Sequence, residues 1–118
     1  GIRLAVASST GLEQVKRILT MNHVWERLET AVSGEMFKRS KPDPEIYLHT
    51  AAQLRVDPSQ CLAIEDSTVG ITAGKGAGMK AAALIDDRFG FDRSLADREL
   101  GDLREIPALV RSLMEPEA

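Results

Sequence analysis

The sequence has little of several features that would assign a protein to a class at once. Cys61 is the single cysteine among 118 residues, so an internal disulfide is excluded and a reducing cytoplasm is the expected compartment. No stretch approaches the roughly 20 apolar residues that a membrane span requires. The net charge of −3 provides no basic surface for nucleic acid. These absences favour a single globular domain that binds neither membranes nor nucleic acids, with Cys61 as a small core residue.

Short apolar runs alternate with segments of helical periodicity along the chain. A mostly parallel sheet, covered on both faces, is the expected result of such alternation. Asp43 before Pro44 predicts an N-cap with proline at the first helical position, and Gly78 predicts a helix end. The predicted strands are 3–8, 30–33, 61–64, 80–85 and 96–100, and the predicted helices are 11–21, 44–54, 68–77 and 106–114.

One predicted strand ends abruptly in two adjacent carboxylates, Glu65 and Asp66. Side chains alternate along a strand, so the two carboxylates converge on one ion only if the chain turns there. Ser67 and Thr68 are good helix N-caps and supply such a turn. In open α/β sheets ligands bind at this edge, where the strands end.

Further polar groups follow other predicted strands and loops, namely Ser8 with Ser9 and Thr10, and then Lys41. Taken singly, each has an ordinary explanation as a helix cap or a solvated lysine. Because parallel strands end at the same edge of a sheet, these groups and the carboxylate pair are expected to meet. Hydroxyl and amide groups bind phosphate, lysine neutralises it, and Mg²⁺ takes one or two carboxylates. The combination predicts a magnesium-phosphate site.

The segments around these residues closely resemble the haloacid-dehalogenase-like hydrolases, most of all the branch of β-phosphoglucomutase and small sugar-phosphate phosphatases. The matching motifs are Ser-Lys-Pro-x-Pro-x-Ile at 40–46 and an apolar strand with Glu-Asp-Ser-x-x-Gly-Ile at 65–71. The resemblance covers residues 2–85 and is weaker afterwards. It implies a Rossmann-like, three-layer αβα fold with a parallel sheet, of which residues 1–118 form the C-terminal part of a single core domain.

The resemblance also implies a role for each candidate residue. Ser8 corresponds to the hydroxyl that binds the transferring phosphoryl group, assisted by the backbone amide of Ser9. Lys41 corresponds to the lysine that neutralises the phosphoryl group and the nucleophile. Asp66 corresponds to the principal Mg²⁺ ligand, and Glu65 to a second or water-mediated one. The implied substrate is a small phosphorylated metabolite such as a sugar phosphate.

One departure from the family pattern outweighs these agreements. The family's first motif, Asp-x-Asp-x-Thr, supplies the nucleophilic aspartate, and the chain contains no such sequence. The substrate-selecting cap domain is absent as well. The strand with this motif lies centrally in the family's sheet, between the strands of the second and fourth motifs. We therefore expect a C-terminal portion that is inactive alone and needs a missing N-terminal segment to complete its sheet and site.

Two other functions remain open from the residues. A receiver-like phospho-binding module also places an acidic pair, a hydroxyl and a lysine at one sheet edge, but in such modules the acidic pair comes early and the lysine late. The chain is alternatively a non-catalytic fragment that docks to a separately encoded N-terminal half.

Overall fold

The computed structural model describes residues 3–8, 11–21, 25–37, 39–85, 88 and 90–114. Within these ranges, no helix combines the length and the apolar character that crossing a bilayer takes. Short 3-10 helices lie at Trp25–Arg27, Gly34–Met36, Pro58–Gln60 and Leu103–Glu105. The strands and α-helices, in chain order, are β1 (Ala5–Ser8), α1 (Leu12–Met21), β2 (Thr30–Ser33), α2 (Glu45–Leu54), β3 (Leu62–Glu65), α3 (Thr68–Gly76), β4 (Lys80–Leu84), β5 (Arg98–Leu100) and α4 (Ile106–Met114).

The strands pair in parallel, as the alternation of strands and helices predicted. β1 pairs with β2, which brings Ser8 opposite Ser33. β4 lies between β3 and β5, and Glu65 at the end of β3 is opposite Ala83. In the part of the chain that is described, β1 does not pair with β3, so the strands form two separate sheets. The expected α/β fold with an incomplete parallel sheet is confirmed.

Helices α2 and α3 join the two sheets. α2 packs on β1, β2 and α3, and α3 packs on β3 and β4. Small side chains allow close approach, since a Cβ added at Gly74 of α3 would lie 3.0 Å from the Cβ of Ala63 in β3. The buried residues of this shared core are Val32, Ile46, Tyr47, Ala51, Ala63, Ala73, Ala77 and Met79.

The predicted end of α3 is confirmed, and the predicted start of α2 is off by one residue. Gly78 follows α3 with φ 87°, a left-handed conformation that favours glycine, as predicted. The prediction that Asp43 is the N-cap of α2 is wrong by one residue, because Pro44 occupies that position. Pro44 has no N–H, and the Asp43 carboxylate accepts instead from the amide of Glu45, at 2.9 Å.

A cavity of about 1110 Å³ separates β1 from β3. Its two walls are the facing strands, Ala5–Ser8 and Leu62–Glu65, and we call it the slot. Side chains of α2 and α4 also line it, among them Ala51 and Val110. The slot therefore lies between the strand that ends at Ser8 and the strand that ends at Glu65.

Candidate active site

The candidate residues Ser8, Lys41, Glu65 and Asp66 all line the slot. Lys41 contacts both of its walls: the ammonium Nζ donates to the Ala7 carbonyl of β1 at 3.4 Å and to Glu65 Oε2 of β3 at 2.8 Å. Because Ala7 and Glu65 lie at the carboxyl ends of their strands, the two strands end at the same end of the slot. The geometry thus brings together the hydroxyl, the lysine and the acidic pair.

Lys41 and Glu65 form a largely buried ion pair, with side chains that are 11% and 10% exposed. Taking two charges out of water is costly unless further hydrogen bonds satisfy them. The buried Tyr47 of α2 supplies one, since its hydroxyl donates to the same Glu65 oxygen. The Lys41 ammonium also lies 5.1 Å from the centre of the Tyr47 ring, within the range of a cation–π interaction.

The Tyr47 hydroxyl acts as a donor to Glu65. Burial, followed by the nearby charge of Glu65, holds the pKa of Tyr47 far above its usual value. Tyr47 therefore keeps its proton at neutral pH, and Glu65 Oε2 accepts from two donors, of which one is a cation.

Asp66 has a different environment from Glu65. The chain bends directly after β3, and Ser67 caps α3 by accepting from the Gly70 amide at 3.1 Å, as the predicted turn required. Asp66 is exposed, and no hydrogen bond or ion pair to its carboxylate is found among the described residues. The turn separates the two carboxylates: Glu65 contacts Lys41 and Tyr47, and Asp66 faces solvent.

The carboxylates fit part of a Mg²⁺ site. The described residues contain no group of three or more His, Cys, Asp or Glu side chains placed to hold a metal ion. Mg²⁺ commonly takes only one or two protein carboxylates and completes its shell with phosphate oxygens and water. Asp66 suits such a role as it stands, whereas Glu65 Oε2 already has two donors. Any third His, Cys, Asp or Glu ligand would come from outside the described residues.

Two residues of this region had no role in the sequence reasoning. Tyr47 is the single tyrosine of the chain, and a buried tyrosine needs a partner for its hydroxyl, but the sequence does not say which. Gly70 lies against the Glu65 carboxylate, since a Cβ added there would be 2.0 Å from Oε1. The motif contains this glycine, yet only the structure shows what it makes room for.

Ser9 and Cys61 are the two remaining residues for which the sequence predicted a role. Ser9 lies outside the described residues, so its role stays a prediction. Cys61 precedes β3, is partly buried and donates weakly from Sγ to the Asp57 carbonyl at 3.5 Å. Burial raises the pKa of the Cys61 thiol, which makes it a poor nucleophile. The expected position inside a core strand is not met, since Cys61 lies just before β3 and packs against the margin of the core.

Comparison with known proteins gives consistent relatives. The family model described as haloacid dehalogenase-like hydrolase matches residues 1–84. The chain is 37% identical over 114 residues to hexitol phosphatase B of Escherichia coli K12. This alignment covers 92% of the chain and 50% of that protein. The chain is 34% identical to β-phosphoglucomutase of Bacillus subtilis, over 86% of the chain and 44% of that protein.

The fold has solved counterparts as well. The crystal structure of CbbY from Rhodobacter sphaeroides in complex with phosphate superimposes with a TM-score of 0.78 and 34% identity, over 90% of the chain and 49% of CbbY. The chain thus spans about half the length of these relatives. It belongs to the haloacid dehalogenase-like hydrolases, in the β-phosphoglucomutase-like branch.

Proposed function

We propose that the chain supplies the phosphate- and metal-binding part of a magnesium-dependent enzyme that transfers or hydrolyses the phosphoryl group of a small sugar phosphate. The observation that carries this proposal is Lys41, whose ammonium contacts the carboxyl ends of both β1 and β3 at the end of the slot. A phosphoryl group placed there would meet a cation, the hydroxyl-bearing end of β1 and the exposed Asp66 carboxylate.

Each residue has a definite task in this proposal. The Ser8 hydroxyl and the Ser9 amide hold phosphoryl oxygens, and Lys41 offsets their negative charge. Asp66 would hold Mg²⁺, with Glu65 as a second or water-mediated ligand, and the ion would supply positive charge against the phosphoryl oxygens. The relatives named hexitol phosphatase and β-phosphoglucomutase favour a sugar phosphate as the substrate.

The nucleophile comes from outside the chain in this proposal. An aspartate carboxylate attacks phosphorus, the bond from phosphorus to the sugar oxygen breaks, and that oxygen takes a proton from the general acid/base of the same outside motif and leaves as a hydroxyl. Water or a second sugar hydroxyl then attacks the phosphoaspartate and gives its proton back to the general acid/base. The bond from phosphorus to the carboxylate breaks, which regenerates the aspartate and releases inorganic phosphate or a new sugar phosphate. Water as the second nucleophile makes the enzyme a phosphatase, and a sugar hydroxyl makes it a mutase.

The slot is the place we propose for the strand that bears this aspartate. β1 and β3 both run parallel to their known partners, and in the described chain neither has a strand on the side facing the other. A further parallel strand between them would pair with both and would end beside Lys41. Its carboxyl end is where the aspartate of an Asp-x-Asp-x-Thr motif would follow.

The proposal is tested by measuring p-nitrophenyl phosphate hydrolysis with and without Mg²⁺, using the 118-residue chain and the same chain joined to a segment that carries the Asp-x-Asp-x-Thr strand. We expect turnover only in the joined protein and only with Mg²⁺. Lys41→Ala and Asp66→Asn should each lower kcat by at least about 10²-fold, as removal of charge-stabilising groups does in other enzymes. Lys80→Ala, which changes an exposed lysine at the opposite end of the strands, is the matched control.

Three results would contradict the proposal at separate points. Turnover by the 118-residue chain alone would mean that no outside nucleophile is needed. Turnover without any divalent cation would show that the reaction needs no metal ion. Near-normal turnover by Asp66→Asn would show that Asp66 is not a required ligand.

A further inference from the structure

We propose that Tyr47 is a positioning residue, which holds the Lys41 ammonium at the end of the slot through the Glu65 carboxylate. The inference rests on the proposed function only in so far as Lys41 acts on a phosphoryl group. Tyr47 lies on helix α2, away from the strand ends in the sequence, and the inference adds it to the residues on which activity depends.

Glu65 Oε2 is the shared acceptor of this arrangement. Lys41 Nζ donates to it at 2.8 Å and the Tyr47 hydroxyl donates to the same atom. All three groups are buried or nearly so, with Tyr47 only 7% exposed. Since water is largely excluded, loss of one donor is not easily replaced, and the carboxylate would turn toward other partners.

Tyr47 restrains Lys41 in a second way, through its ring. The ammonium lies 5.1 Å from the ring centre, in addition to its contacts with Glu65 and the Ala7 carbonyl. An ammonium has three N–H donors, so these two acceptors leave one donor for a ligand oxygen. Tyr47 therefore determines where that donor lies, without touching the ligand itself.

The variant Tyr47→Phe separates the two contributions. It keeps the ring and the packing of α2 and removes only the hydroxyl that Glu65 accepts from. The matched control is Thr50→Val, because Thr50 is a buried residue one turn along the same helix whose hydroxyl donates to the Ile46 carbonyl at 2.7 Å and does not contact Lys41. Both variants lose one buried hydroxyl, and only one of them affects the ion pair.

The first measurement is independent of activity. Limited reaction with trinitrobenzenesulfonate, followed by peptide mass spectrometry, reports how accessible Lys41 is relative to the exposed Lys80 in the same sample. We expect Lys41 to react at least about threefold faster in Tyr47→Phe than in the wild type, because its acceptor is less fixed, and at the wild-type rate in Thr50→Val. If Tyr47→Phe does not fold, Tyr47→Leu replaces it, which also removes the hydroxyl that Glu65 accepts from, and faster reaction of Lys41 is again expected.

The second measurement uses the active, joined protein. Tyr47→Phe should lower kcat by about tenfold while KM changes little, since a misplaced cation chiefly weakens transition-state stabilisation. Thr50→Val should leave kcat unchanged. An unchanged Lys41 reaction rate together with an unchanged kcat would overturn the inference and leave the proposed function intact. Faster Lys41 reaction in a joined protein that has no phosphatase activity would overturn the proposed function and leave the positioning role of Tyr47 standing.

Discussion

The Glu65 carboxylate depends on a neighbour that has no side chain. Gly70 lies in the first turn of α3, and a Cβ built there would be 2.0 Å from Glu65 Oε1 and 2.3 Å from its carboxyl carbon. Such distances are far inside van der Waals contact, so the position cannot hold any larger residue while Glu65 keeps its place. The Lys41–Glu65 ion pair therefore requires glycine at position 70.

Gly70→Ala should destabilise the protein even though alanine favours helices. Alanine in a helix interior normally gains up to about 1 kcal/mol over glycine. Here the new methyl group displaces a carboxylate that Lys41 and Tyr47 hold, and we expect a net loss of about 1–3 kcal/mol. Chemical denaturation monitored by circular dichroism measures the change in the free energy of unfolding.

Gly76→Ala is the control for this prediction. Gly76 ends the same helix, and an added Cβ would be 3.4 Å from the nearest atom, the Cβ of Pro44, which is an ordinary contact. We expect a change of no more than about 1 kcal/mol, in the stabilising direction. Equal effects of the two substitutions would show that the Glu65 carboxylate moves aside without cost.

Strand β5 is short, and a carboxylate just before it secures its place beside β4. Asp97 Oδ2 accepts from the Ala81 amide at 2.8 Å and from Lys75 Nζ of α3 at 3.0 Å. The Asp97 amide in turn donates to the Ala81 carbonyl at 2.8 Å. One residue thus connects β4, β5 and α3 at the edge of the sheet.

Asp97→Asn should destabilise the protein in a pH-dependent way. The hydrogen bond from the Ala81 amide, followed by the contact with Lys75, lowers the pKa of Asp97 in the folded state. A lowered folded-state pKa means that the stabilisation is complete above the ordinary carboxyl pKa of about 4 and is lost as the pH falls through the lowered value. Since Asp97 is about a third exposed, solvent screening limits the expected loss to about 1 kcal/mol.

Unfolding curves of the wild type and of Asp97→Asn between pH 7 and pH 3 measure this effect. We expect the difference in unfolding free energy to be greatest at neutral pH and to shrink below pH 4. Glu99→Gln, on the exposed side of β5, loses only a surface ion pair with Arg93 and should change stability by less than about 0.5 kcal/mol. A pH-independent difference for Asp97→Asn would assign its effect to packing rather than to charge.

Local signals predicted most of the elements. The α4 helix at Ile106–Met114 and the β2 strand at Thr30–Ser33 have the predicted bounds, because periodicity and turn residues act over a few neighbours. The contact from Tyr47 to Glu65 joins residues 18 positions apart, and it depends on the packing of α2 against α3 and of α3 on β3. No local pattern specifies such a contact, so the sequence predicted the acidic pair and not the tyrosine.

The described strands form two sheets because the slot lies between β1 and β3, where the two strands do not pair. β1 and β2 are held to the other three strands through α2, α3 and the Lys41 contacts, with the slot between them. Apolar side chains of both walls line the slot, including Val6 and Ile64, which are only partly buried. A protein whose central apolar surface faces a gap loses much of the stabilisation that burial of that surface would give.

The 118-residue chain should therefore bind the hydrophobic dye ANS, and a peptide that fills the slot should displace the dye. A suitable peptide is an apolar strand followed by Asp-x-Asp-x-Thr. At a hundredfold excess over its Kd it should stabilise the chain by about 2.7 kcal/mol, which a thermal unfolding scan measures as a rise in Tm. The physical reason is that a strand in the slot buries both walls and pairs with β1 and β3.

Two control peptides distinguish strand pairing from nonspecific adhesion. A scrambled peptide of the same composition lacks the apolar run, and a peptide with proline at the strand centre lacks the N–H that a central strand must donate. We expect neither to displace the dye or to raise Tm. If the proline peptide stabilised the chain as well as the parent peptide, the slot would be an apolar cleft that binds by surface burial alone. If no peptide bound, the gap between β1 and β3 would not be the position of a strand, and the nucleophile would have to approach Lys41 from another direction.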